Sequence, residues 1–135
     1  MINKSLVKDK ADSFALRIIK LYNYLKDTHK EFVISKQILR SGTSIGSNIT
    51  ESKFAQSTAD FISKHQIALK EAAETEYWLD LLYKSEYIEE RLYKSLFEDN
   101  EELIRMLSAI VISNKEKLKE EEKKKNSKGR KTNNS

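Results

Sequence analysis

Val7, Ala11, Phe14, Ile18, Leu21 and Leu25 recur in steps of three and four, which puts six apolar side chains on one stripe of a helix over roughly residues 4–28. Asp27, Thr28, His29 and Lys30 break the stripe, and Ser35 offers an N-cap for a second helix running to about Ala55, with Ile34, Ile38, Ile45 and Ile49 on one face. A third pattern starts near Thr58, where Asp60 suits the positive helix end, and passes through Phe61, His65, Ala68, Leu69, Ala72, Leu79 and Tyr83. Ser85, Glu86 and Tyr87 interrupt it. Leu92, Leu96, Leu103, Leu107, Ile110 and Val111 then support a fourth helix that fades near Leu118. Four amphipathic helices with short links predict an all-α, antiparallel up-down-up-down four-helix bundle over residues 1–118, followed by a basic tail over 119–135.

Composition agrees with helix. The 135 residues contain no proline and three glycines, and a chain of this length can bury one core. Beyond Lys119 almost nothing apolar remains to offset the entropy of ordering, so the tail is expected to be disordered when unbound, although Lys115, Glu116, Lys119, Glu120 and Lys123 can carry the fourth helix partway into it through charge pairs three and four apart. The longest unbroken apolar run, Ala109 to Ile112, is too short to span a bilayer, and the first residues lack the apolar core of a signal peptide. With no cysteine for disulfides or thiolate metal sites, cytoplasmic residence is the default expectation, with no membrane partner.

The net charge of +4 changes meaning once it is divided along the chain. Residues 1–70 carry 12 Lys/Arg against 6 Asp/Glu, residues 71–114 carry 4 against 11, and residues 115–135 carry 9 against 4. A basic half and a basic tail therefore flank an acidic third quarter. That layout suits docking between subunits as well as it suits nucleic acid.

Residues 40–52 are unlike an ordinary surface helix, because two glycines and several Ser, Thr and Asn residues each forfeit helix propensity. Arg40, Ser44 and Asn48 form an i, i+4 polar row on one flank of the isoleucine face; Gly42 and Gly46 form a row of minimal bulk on the other. Close helix packing explains the small residues, and an oligomer seam or a phosphate-facing row led by Arg40 is the functional alternative.

The stretch from Arg40 to Glu51, followed by the one from Ala68 to Leu82 that contains Glu71, Glu74, Glu76, Tyr77, Trp78 and Leu79, resembles the bacterial four-helix-bundle family that includes the 23S rRNA intervening-sequence proteins and is similar to the accessory variability protein of diversity-generating retroelements. The resemblance covers roughly residues 8–112. Arg40, Ser44, Ile45, Asn48, Ile49 and Glu51 match the first motif, whereas Ser52 stands where many members have glycine, and the basic tail lies outside the common region. The resemblance implies an antiparallel four-helix protomer and a ring-shaped homo-oligomer, a pentamer.

Candidate chemistry is sparse. Glu71, Glu74 and Glu76 lack the second helix of ligands that a bundle metal site requires, and His65 stands eleven residues from Glu76, about 16 Å along a helix. Glu76 is instead expected to pair with Arg40 or with a lysine. Two histidines, no cysteine and no phosphate loop leave no placed nucleophile and base, so no enzymatic role and no cofactor are expected. Trp78, Tyr77, Tyr83 and Tyr87 form an aromatic belt near the end of the third helix, better suited to burial or a subunit contact than to base stacking because its surroundings are acidic.

Contacts to phosphate are expected from Lys8, Lys10, Arg17, Lys20, Arg40, Lys53 and Lys64, and in the tail from Lys123, Lys124, Lys125, Lys128, Arg130 and Lys131. Gly42, Ser44, Gly46, Asn48, Glu76 and Trp78 are the candidates for a packing or oligomer seam. The function these features predict is a non-enzymatic, oligomeric helical scaffold that binds RNA or DNA through its basic surface and tail, as an accessory presenting nucleic acid to a partner protein. The competing expectation is a protein-interaction module with no nucleic-acid role, in which the basic half of one subunit docks on the acidic region of the next.

Overall fold

In a computed structural model, which describes the backbone of residues 4–133 and the side chains of residues 6–129, four helices follow one another: α1 (Lys4–His29), α2 (Ile34–Ser52), α3 (Thr58–Lys84) and α4 (Glu90–Asn133). The connecting segments, 30–33, 53–57 and 85–89, are short enough to force antiparallel neighbours. Each helix packs on the next in sequence, and α4 closes the bundle against α1. Every position of the α1 stripe from Val7 to Leu25 is buried, and it meets Ile38, Ile45 and Ile49 of α2, Ala68, Ala72, Leu79 and Leu82 of α3, and Leu96, Leu103, Leu107 and Ile110 of α4.

Helix α2 is wedged between α1 and α3, and its short side chains allow that. A Cβ added at Gly42 would lie 2.9 Å from Ile18 Cγ1 and 3.0 Å from Cγ2, both on the buried branched side chain itself. At Gly46 the nearest atoms would be Asp12 Oδ1 at 3.3 Å and Ala11 Cβ at 3.6 Å. Toward α3, Ser41 is fully buried and its Oγ accepts a 2.8 Å hydrogen bond from Thr75 Oγ1.

Residues 30–35 differ from the sequence expectation. Ser35 lies inside the first turn of α2 and is buried, so it is not the N-cap. The Glu31 carboxylate performs the capping: Oε2 accepts the N–H groups of Val33 and Ile34 at 3.0 and 3.1 Å, and Oε1 accepts that of Ser35 at 2.6 Å. Ser35 Oγ donates to the Glu31 carbonyl instead. A carboxylate four residues upstream reaches three orphan donors, where one hydroxyl reaches one. At the far end of α3, Glu86 adopts a left-handed conformation (φ 66°), which lets Tyr87 N–H bond to the Leu82 carbonyl and Glu86 N–H to that of Tyr83, a Schellman-type stop.

The fourth helix does not fade near Leu118, and the segment expected to be disordered from residue 119 is helical through to Asn133. Lys and Glu, which make up most of residues 115–125, are strong helix formers, and the packed portion of α4 already supplies the nucleus. Thr58 Oγ1 donates to Glu121 Oε1 at 3.0 Å, and beyond that point every described side chain is exposed. The last turns therefore project past the start of α3. Among the described residues, no helix is long and apolar enough to cross a membrane.

Two expectations follow. Gly42→Ala gains about 1 kcal/mol of helix propensity but over-packs Ile18 at a typical cost of 1–3 kcal/mol, so it lowers the thermal midpoint; Gly46→Ala, whose neighbour Asp12 can swing aside, holds or raises it. Differential scanning calorimetry of the two variants checks the contrast. Partial burial pushes the Glu31 carboxyl upward, but the hydrogen bonds from Ser35, Ile34 and Val33 outweigh it and hold the group below its ordinary 4.5. A lowered native value means the capping contribution is complete above that pH and fades as acid protonates the folded form. Glu31→Ala is therefore expected to cost about 1 kcal/mol at neutral pH, with the gap to wild type closing below about pH 4.5 in denaturant titrations.

Candidate nucleic-acid interface

The hydroxyl and amide groups of α2 turn back onto their own helix. Ser44 Oγ donates to the Arg40 carbonyl at 2.6 Å, and Asn48 Nδ2 donates to that of Ser44 at 2.8 Å. Thr43 and Thr50 do the same to Leu39 and Gly46. The row of Arg40, Ser44 and Asn48 is thus largely self-satisfied, a local backbone use typical of such side chains within helices.

Arg40 is engaged across the α2–α3 interface. Its Nη1 donates to Glu71 Oε2 at 3.0 Å, and its Nη2 pairs with Glu74 Oε2. The expected pairing with Glu76 is absent, because Glu76 stands on another face of α3 among carboxylates rather than cations. Burial first, then the charges of Glu101 and Asp80 and a hydrogen bond with Glu101, push its carboxyl above the ordinary range. Asp80 also accepts from Tyr93 Oη at 2.5 Å, which with burial drives that phenol up to about 12. Trp78 is half-buried, with its ring edge-on to Tyr77 at 5.0 Å. Tyr83 stacks on Tyr93 at 4.4 Å, and Tyr87 meets His29 at 5.4 Å. The aromatic belt is thereby divided among several packing contacts.

The same pairing runs through the basic half. Lys8 bonds to Asp12 at 2.5 Å, Lys10 to Glu102 at 2.8 Å, Arg17 to Asp99 at 2.5 Å, and Lys64 to Glu51 at 3.1 Å. Arg17 also donates to Ser95 Oγ at 2.9 Å, so α1 and the acidic face of α4 are tied by charge where adjacent helices approach each other least. Part of the +6 of the first half is therefore spent inside the protomer on the −7 that follows. Among the described ion pairs none involves Lys20 or Lys53, and both are exposed.

The α4 extension differs. Lys123, Lys124, Lys125 and Lys128 are exposed on helix, and no described carboxylate pairs with the first three. The side chains of Arg130 and Lys131 lie outside the described residues, though the backbone there is helical. Residues 123–131 hold six Lys/Arg and no Asp/Glu. The structure thus sets four bundle cations that pair across helices, Lys10, Arg17, Arg40 and Lys64, apart from Lys123, Lys124 and Lys125 of the extension, which carry no described ion pair.

An exposed ion pair contributes little to stability, so Arg40→Ala is expected to cost under about 1 kcal/mol. Because its guanidinium is already taken by Glu71 and Glu74, the same variant is expected to leave any affinity for oligonucleotides unchanged, as a filter-binding titration would show.

A comparison with curated proteins gives no match. A crystal structure of a protein of unknown function from the S23 ribosomal protein family of Bacteroides thetaiotaomicron VPI-5482 superposes with a TM-score of 0.79 and 56% sequence identity, over 80% of this chain and 96% of that one. The family described as 23S rRNA-intervening sequence protein matches residues 3–109, which span all of α1 to α3 and most of the packed part of α4. With the bundle, its motif residues and that match in agreement, the chain belongs to the 23S rRNA-intervening sequence protein family.

Proposed function

We propose that this protein is a non-enzymatic, self-associating helical scaffold that binds nucleic acid chiefly through the projecting end of α4. The observation that carries this reading is the concentration of charge on that extension: residues 123–131 hold six Lys/Arg and no Asp/Glu, and Lys123, Lys124 and Lys125 stand exposed on a helix with no described pair, whereas Lys10, Arg17, Arg40 and Lys64 of the bundle pair with carboxylates of neighbouring helices. Binding of that kind is dominated by phosphate neutralisation and is sequence-independent. Self-association is supported by exposed apolar side chains on the outside of the bundle, among them Leu16 on α1 and Tyr77 on α3. The assembly expected is the pentameric ring that the family resemblance implies, and a ring would gather several extensions, multiplying a weak contact through effective concentration. Presentation of the bound nucleic acid to a partner protein remains part of this reading.

The second reading, a protein-interaction module, is favoured by the carboxylate face of Glu76, Asp80 and Glu101, which repels phosphate. A salt series separates the two. For the full chain with duplex DNA and structured RNA, log K is expected to fall linearly with log salt, and the triple variant Lys123→Gln, Lys124→Gln, Lys125→Gln is expected to flatten that slope by about 2 to 3 for duplex DNA. No measurable binding by the wild type at low salt would reject the nucleic-acid reading and leave the interaction module.

A further inference from the structure

The end of the bundle from which α4 projects is also where α1 begins and α2 passes into α3, and there the four helices leave an open cavity of about 770 Å³. That volume lies in the range of ligand sites. Lysines from three elements line it: Lys8 of α1, Lys53 of the 53–57 segment and Lys117 of α4, against a single lining carboxylate, Asp9, among the described residues. Lys8 is held by Asp12, but no described ion pair takes Lys53 or Lys117, and both are exposed. Ser57 lines the same cavity; its Oγ accepts from Asp60 N–H, which leaves its own proton to donate.

Between two lining residues, Lys53 and Ala55, stands Phe54, whose ring is 81% exposed. Neither neighbouring helix covers it, and it is the most exposed of the large apolar side chains described. A ring offered to solvent between two lining residues of a cavity that presents unpaired lysines and a hydroxyl donor matches the stacking platform and charged groove that single-stranded nucleic acid uses.

Resting on the reading of α4 as a nucleic-acid contact, we propose that this end of the bundle is a single-strand site, in which Phe54 stacks on an unpaired base while Lys53 and Lys117 hold the adjoining phosphates at the cavity mouth. A duplex keeps its bases stacked on one another and offers Phe54 no face, so it engages only the α4 extension. The chemistry is common to RNA and DNA: a free base face beside phosphodiester charge.

Fluorescence anisotropy on the full chain tests this, with a uridine 12-mer RNA, a thymidine 12-mer DNA, an abasic 12-mer and a 12-bp duplex. Phe54→Ala is expected to weaken both base-bearing strands about 5- to 100-fold, the range for losing one base–aromatic stack, and to leave the abasic strand and the duplex within about twofold. The Lys53→Gln, Lys117→Gln double variant is expected to weaken all three single strands and reduce their salt slope by about 1.4, two phosphates' worth. Single-strand affinity unchanged in Phe54→Ala overturns the site while the α4 reading stands, and a change of solution mass in that variant with affinity intact reassigns Phe54 to a contact between copies. A wild type that binds none of the four probes overturns the nucleic-acid function itself.

Discussion

The close passage of α2 between α1 and α3 is the constraint on which the remaining geometry rests. Gly42 lies against the branched side chain of Ile18 with no room for a methyl group, and on the opposite flank Ser41 and Thr75 meet through a single hydrogen bond. Protein interiors are dense enough that one added carbon is felt, so those short side chains set how near α1 and α3 can come to α2. The low helix propensity of residues 40–52 is a consequence. Tertiary burial outweighs it, and the hydroxyls are satisfied by carbonyls one turn back, so the segment carries polar atoms without leaving them unpaired.

Charge completes what packing leaves thin. The α1–α4 side has the least direct contact among adjacent helices, and Lys10–Glu102 and Arg17–Asp99 stand along it. These pairs are partly exposed, so their role is better described as matching the two faces than as adding much stability. They take Lys10 and Arg17 out of the charge that α1 offers to solvent, whereas the extension of α4 holds six Lys/Arg and no Asp/Glu over residues 123–131.

The end of the bundle from which α4 projects brings together residues with no relation in sequence. Lys8, Lys53 and Lys117 come from the first helix, a connecting segment and the last helix, and they face one cavity because antiparallel packing returns alternate helix ends to the same place. Phe54 is legible in the sequence only as one aromatic residue near the close of an amphipathic helix. Its exposure arises because α2 stops at Ser52 and the chain turns away before the ring can reach the core.

Much of this protein was written in its apolar periodicity. The α1 stripe, the isoleucine face of α2, the leucines of α4 and the antiparallel order all follow from side-chain spacing and short connections, since burying one stripe per helix admits few other arrangements. The motif residues within 40–51 and 68–82 also identified the family. Periodicity says nothing about partners across the chain, and the errors fall there: Glu31 rather than Ser35 caps α2, Arg40 meets Glu71 and Glu74 rather than Glu76, and α4 continues through the tail. Which cations are paired, which remain available and which face a common cavity are three-dimensional questions, because an ion pair depends on distance between side chains that the one-dimensional pattern does not contain.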